Sequence, residues 1–318
     1  MRRVIAAIVI ITPFLVGASV AADRDGKVVF RFADPEIIES SGLIVTDGLV
    51  VTVNDSGDSA RIFTVDLDTG RTVGVTSWSG EATDDEALAP AGPGKVWVGD
   101  IGDNGRSRAS VTVTRVPYGR SDVTVEGESF ELTYPDGAVD AEALLSDPVS
   151  GRLYVVSKEV LGGTVFEAPA TLSASGPNRL RAVGEAPGVV TDGSFFPDGK
   201  HLILRNYGSA TVLTFPGLEE VDSFELPAQQ QGEGIAVAPD GQVYASSEGV
   251  RSPLLRISLP SATPSPTPSD PPSATPPPDP DPSLATEEDT ERDPRPWVIG
   301  GLVALAGLLV LIRALRPR

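Results

Sequence analysis

From Lys27 to Pro260 the apolar residues come in short runs separated by Gly, Pro, Asp and Asn, and hardly any stretch keeps the 3.6-residue period of a helix. Runs rich in Val, Leu, Phe and Tyr between turn-forming residues predict strands, so the segment reads as all-β. The runs also repeat. SGLIVTDGLVVTV from Ser41, DEALAPAGPGKVWVGD from Asp85, AEALLSDPVSGRLYVVSK from Ala141, DGSFFPDGKHLILRNY from Asp192 and GEGIAVAPDGQVYASSE from Gly232 share one plan. In each, a small residue and an apolar run lead to a turn, usually with Gly, and then to a second strand. The copies begin roughly 40 to 56 residues apart, about the period of one four-stranded propeller blade.

Third and fourth strands follow each copy: ARIFTVDL and RTVGVTSW, SVTVTRVP and SFELTYP, GTVFEAP and NRLRAVG, SATVLTFP and VDSFELP. The fifth copy is followed by PLLRISL alone. Its missing outer strand is predicted to be KVVFRFA, Lys27 to Ala33, brought from the start of the segment to close the ring. The expected fold is a β-propeller with five four-stranded blades. A sixth stays open if a degenerate blade lies within the longer second or third copy. A β-sandwich is the runner-up, but two packed sheets do not require five similar units.

The pattern changes at both ends. Arg2 and Arg3 precede an apolar run from Val4 to Val20 that closes on small residues, the layout of a secretory signal peptide over residues 1–22, cleaved between Ala22 and Asp23. An uncleaved anchor is the alternative. Residues 261–296 are dominated by Pro, Ser, Thr and Asp, too poor in apolar surface to form a core, and predict an extended stalk. At about 3.1 Å per residue it would reach on the order of 100 Å. Trp297 to Ile312 carries no charge and is followed by Arg313, Arg316 and Arg318. This predicts one transmembrane α-helix over residues 297–312, with the propeller outside the cell membrane and a basic tail, 313–318, in the cytoplasm. The helix would rise about 24 Å, with Trp297 at one interface and Arg313 snorkelling at the other.

Composition narrows the chemistry. There is no cysteine, so an exported domain must be held by burial alone, and thiol or Cys/His zinc chemistry is excluded. The 44 Asp and Glu against 25 Lys and Arg give a net charge of −19. Nucleic acid, which needs clustered basic residues, is not an expected partner. Small-molecule, cell-wall or protein ligands stay open, and a monomer is expected. No G-x-S-x-G elbow occurs, and GDIGDNG from Gly99 is neither a P-loop nor an EF-hand.

A propeller gathers one loop from every blade around its central channel, so the chemistry is expected where the innermost strands end. Acidic residues recur there: Glu39, then Asp84, Asp85 and Glu86, then Asp140 and Glu142, then Asp192, then Glu233. A second tier follows the next strand: Asn54 and Asp55, Asp100 with Asp103 and Asn104, Lys158 and Glu159, Arg205 with Asn206 and Tyr207, and Glu248. Such a ring of oxygens suits a hard cation such as Ca²⁺. Turn capping is the plain alternative for several of these acids, and Asp66, Asp198 and Asp240 read as turn residues outright.

ESSGLIV, VNDSGD, DDEALA, VGDIGDNGRSR, DAEALL, VVSKE and QGEGIAVAPDG, in this order, resemble a bacterial family of exported phytase-like or esterase-like β-propellers of WD40-like build. The likeness covers nearly all of residues 36–260. It implies a propeller, bound calcium, and phosphoester or ester substrates. By that analogy Asp84, Glu86, Asp100, Asp103, Asp140 and Glu142 would be calcium ligands, and Lys158 and Arg205 would meet an anionic substrate. Phytases proper have six blades, against five counted directly here. Two functions follow: a surface binding module with Glu39, Asp55, Lys158, Glu159, Arg205, Tyr207, Glu233 and Glu248 at its ligand site, or a calcium-dependent hydrolase.

Overall fold

The computed structural model describes residues 26–260 except Ser56 and Glu81, and these form five sheets arranged as a five-bladed β-propeller. The expected signal peptide, stalk, membrane span and tail lie outside the described residues. Among the described residues no helix is long and apolar enough to cross a membrane.

Strand β1 (Gly26–Arg31) comes first in the chain but belongs to the last blade. Blade 1 holds β2 (Ser40–Thr46), β3 (Leu49–Asn54), β4 (Arg61–Asp66) and β5 (Thr72–Trp78). Blade 2 holds β6 (Asp85–Pro90), β7 (Lys95–Asp100), β8 (Val111–Pro117) and, after a short β9 (Val123–Val125), β10 (Glu128–Thr133). Blade 3 holds β11 (Ala141–Ser146), β12 (Leu153–Ser157), β13 (Gly163–Glu167) and, after β14 (Asn178–Arg179), β15 (Arg181–Ala186). Blade 4 runs through β16 (Asp192–Phe195), β17 (His201–Arg205), β18 (Ser209–Thr214) and β19 (Glu220–Glu225). Blade 5 has β20 (Gly232–Val237), β21 (Val243–Ser247) and β22 (Pro253–Ile257), and β1 completes it, antiparallel to β22 with Gly26 opposite Ile257. The closing strand is the one the sequence predicts.

The inner strands β2, β6, β11, β16 and β20 pack against one another in that order, and β20 returns to β2. Sheets stacked face to face around a ring bury both faces of their two inner strands, which explains why β3 is buried at every position while the outer β5 alternates. Accordingly, the apolar core is five clusters, each between two neighbouring blades.

Near the axis the strands approach so closely that only glycine fits. A Cβ on Gly42 would lie 2.5 Å from the Leu88 nitrogen and 2.7 Å from the Ala87 carbonyl carbon, both backbone atoms of the next blade, and one on Gly234 would lie 2.8 Å from the Ser41 oxygen. Gly42→Val is expected to cost about 1–3 kcal/mol by overpacking. The urea midpoint of the purified chain reads this directly; an unchanged midpoint would mean that blades 1 and 2 are not so tightly apposed.

Two details depart from the sequence reading. NRLRAVG reads as one strand, but it is divided: Asn178 and Arg179 pair in parallel with β10 of blade 2, and β15 alone completes blade 3. Likewise β9 crosses back to pair in parallel with β5 of blade 1. Blades 1 and 2 therefore carry five strands each. Both additions cover an outer edge that would otherwise expose unpaired backbone groups.

Because each inner strand starts where the second strand ends, one face of the ring carries both tiers of polar residues. β22 runs away from that face and β1 begins beside its far end, so both ends of the described domain lie on the opposite face.

Candidate functional site

The two tiers meet as cross-strand partners. Ser40 faces Asn54, Asp85 faces Asp100, Ala141 faces Ser157, Asp192 faces Arg205 and Gly232 faces Ser247. In blades 1, 2, 3 and 5 the register shifts immediately afterwards, so a β-bulge falls at Ser41 and Gly42, at Glu86, at Glu142, and at Glu233 and Gly234. A bulge leaves its residue out of the ladder and re-aims its side chain. Here it turns three glutamates from three blades into one shared mouth, where Glu86 and Glu233 each sense the charge of Glu142.

The part of the mouth made by blades 1 and 2 is a carboxylate cluster. Asp55, Asp84 and Glu86 bring one oxygen each to within 4.8 Å of one another, and Glu86 is buried. Backbone follows closely behind: a Cβ on Gly102 would collide with the carboxylates of Asp84 and Glu86, so glycine is needed there. The Ser41 hydroxyl donates to Glu86 Oε2 at 3.2 Å. Burial and then the charge of Asp55 push Asp84 up to about 6. Burial and then Glu142 push Glu86 well above the usual carboxylate range. Like charges held this close are stabilised either by protons or by a cation.

The part made by blades 3 to 5 is organised around an ammonium. Lys158 Nζ donates to Glu142 Oε1 at 2.7 Å and lies 5.3 Å from the centre of the Tyr207 ring. Burial opposes the Lys158 charge, but Glu142 outweighs it and holds the pKa above the ordinary value. Glu233 stands next to this pair, 4% exposed, and its Oε2 is buried without a hydrogen-bond partner. Burial and Glu142 raise Glu233 to about 8. Glu248 accepts from the Gln231 amide and forms a backbone bridge with Glu39, which joins blade 5 to blade 1. Both Glu39 and Glu248 titrate above their usual range, chiefly through burial.

The other expected site residues are engaged in scaffolding. Asp100 accepts from Arg108 Nη1 at 2.7 Å and from the Asp84 backbone at 3.0 Å. Asp103 accepts from the backbones of Ser107 and Arg108 at 2.9 and 2.7 Å, so it closes its own turn, and Asp140 accepts from the Asp103 backbone at 2.9 Å. Of the six expected calcium ligands, only Asp84 and Glu86 converge, and Asp55 joins them. Arg205 is 1% exposed, and its guanidinium is directed to carbonyl groups of blades 4 and 5. Glu159 is half-buried and accepts from Ser157 at 3.5 Å.

Sequence reasoning missed Arg108, which ties Asp100 to the Gly102 carbonyl at 2.8 Å, and the role of Gly102 as the floor under the carboxylates. The glycines of GDIGDNG were the available signal.

No family model matches the chain, and no curated protein is significantly similar to it.

Proposed function

We propose that this chain is an exported, membrane-tethered β-propeller that acts as a ligand-binding module, with a mouth that holds a hard divalent cation, calcium, on Asp55, Asp84 and Glu86. One observation carries the reading: three carboxylates from two blades converge within 4.8 Å, one of them delivered by a bulge into a buried position. Calcium takes six to eight oxygen ligands, and carboxylates, carbonyls and water supply them. The tether rests on the sequence of residues 1–22 and 261–318. Binding is favoured over phosphoester hydrolysis because Lys158 is paired to Glu142 and Arg205 is turned to backbone carbonyls. Neither is left to receive a phosphate.

The test is a calcium titration of the full-length chain, stripped with EDTA and held in detergent. At one hundred times its dissociation constant, a ligand specific to the folded state adds about 2.7 kcal/mol, a Tm rise of roughly 5–10 °C for a domain of this size. Glu86→Gln and Gly102→Ala are expected to lose that rise. Apo Glu86→Gln should melt close to the apo wild type, since burial and Glu142 keep Glu86 protonated without a cation and glutamine reproduces that neutral form. A wild type that ignores calcium, or variants that respond equally, would overturn the metal site. Calcium-dependent turnover of phosphoesters would favour the hydrolase instead.

A further inference from the structure

The loops around the mouth carry aliphatic side chains in positions where solvent contact is least favourable. Val160 and Leu161, in the turn between β12 and β13, are 82% and 100% exposed, and Val250, between β21 and β22, is 57% exposed. Tyr207, in the turn between β17 and β18, is 38% exposed. Isolated exposed apolar residues are ordinary. Here they sit at the tips of three successive loops on one face. Among the described residues, the turns between first and second strands on the opposite face expose only one large apolar side chain, Val149.

The ground inside this rim is suited to positive charge. Glu233 is held in the mouth by its bulge, with Oε2 fully buried and unpartnered; burial, Glu142 and Glu248 raise its energy as an anion by more than Lys158 and Arg205 lower it. Lys158 already shows how an ammonium fits: a carboxylate on one side and the Tyr207 ring on the other. Its pairing with Glu142 leaves Glu233 Oε2 still without a hydrogen-bond donor.

We propose that the part of the mouth formed by blades 3 to 5 receives a basic side chain, lysine or arginine, from an extended segment of a protein partner. The aliphatic neighbours of that residue rest on Val160, Leu161 and Val250. This rests on reading the mouth as a binding site, but it uses different residues from the calcium cluster. A protein segment accounts for both features at once. A free amine would leave the aliphatic rim in water, and a carbohydrate would find little hydrogen-bonding surface on that rim. Acidic groups beside exposed aliphatic loop residues give charge complementarity for steering and desolvated contact for affinity.

The probe is an array of fluorescent synthetic peptides with a central lysine or arginine flanked by Leu, Ile, Val or Tyr, titrated against the full-length chain in detergent by fluorescence polarisation, with and without calcium. Members of the array are expected to bind, and replacing the central residue by Gln or the flanks by Ser should weaken them about ten-fold or more. Glu233→Gln and the double variant Val160→Ser/Leu161→Ser should show the same loss while keeping the calcium-induced rise in Tm. The serine pair lies on an exposed turn, so its effect cannot be attributed to misfolding. If no member binds below about 1 mM, or if binding is equal in both variants, the proposal is overturned. A calcium response that survives this failure leaves the metal reading standing, whereas loss of both removes the mouth as a site.

Discussion

Arg205→Leu is expected to destabilise the domain by about 3–5 kcal/mol, the cost of leaving buried polar groups and opposing charge without their partner. Among the described residues Arg205 is the largest fully buried side chain. Its Nη1 donates to the Gly234 and Ser246 carbonyls at 3.0 and 3.2 Å, and its Nε donates to the Asn206 carbonyl at 3.0 Å, so one guanidinium stitches β17 to the inner hairpin of blade 5. Gly232 has no side chain for this reason: a Cβ there would strike the guanidinium. Burial lowers the arginine to about 10, and Glu233 and Asp192 oppose that shift, so it stays charged at neutral pH. Leucine fills part of the volume but satisfies none of the carbonyls. Arg205→Lys should fall between the two, because a point charge cannot reproduce the planar fork. Urea denaturation of the three proteins decides the matter, and a leucine variant within about 1 kcal/mol of wild type would show that the stitch is dispensable.

The second large effect is a loss of stability with rising pH, opposite to what surface salt bridges produce. Burial and neighbouring acids raise Asp84 to about 6, Asp85 to about 7 and Glu233 to about 8, and Asp192 lies well above 3.8. For such groups the folded state holds protons that the unfolded state has already lost. Their contribution is fully present below the unfolded pKa and disappears as pH rises through 6 to 8. Each proton held only by the folded state adds about 1.4 kcal/mol per pH unit to the slope. Asp58 and Glu167 work the other way. Despite partial burial they are held below their usual range by hydrogen bonds from Arg61 and from Arg152 and Arg181, so their contribution is lost as pH falls through those lowered values. In EDTA, stability should therefore peak near the unfolded carboxylate values, at about pH 4, and decline toward pH 8. Calcium should flatten the decline, since it favours the ionised carboxylates. A urea midpoint that is flat or rising from about pH 5 to 8 would remove the account of buried, proton-holding acids.

The ring was legible because its cause is written in every copy. Strands buried on both faces are rich in small and apolar residues, and the turns between them need Gly, so five similar units stand out. The closing strand was legible by subtraction, one outer strand short at the end and one spare at the start. β9 and β14 were not, because strands of three and two residues have no period. The position of the site followed from the topology, but its partition did not. Asp100 and Asp103 read as well as Asp84 and Glu86 in a string of acids. What separates them is Arg108 for one and two backbone amides for the other. Nor does a sequence show a bulge: DDEAL and DAEAL alternate like any strand until the register slips at Glu86 and Glu142.

The pairing of β1 with β22 sets the order in which the domain can be made. During synthesis the strand that emerges first is the last to find its place, because its partner is made more than two hundred residues later. Until then Phe30 and Phe32, which end in the cluster between blades 5 and 1, have nothing permanent to pack against, and four blades form an open arc. Such distant pairing makes closure slow and a nascent chain vulnerable. A circular permutant that begins at β2 and carries β1 after β22 would turn this last step into a hairpin, and it should reach the native state faster without becoming a different protein.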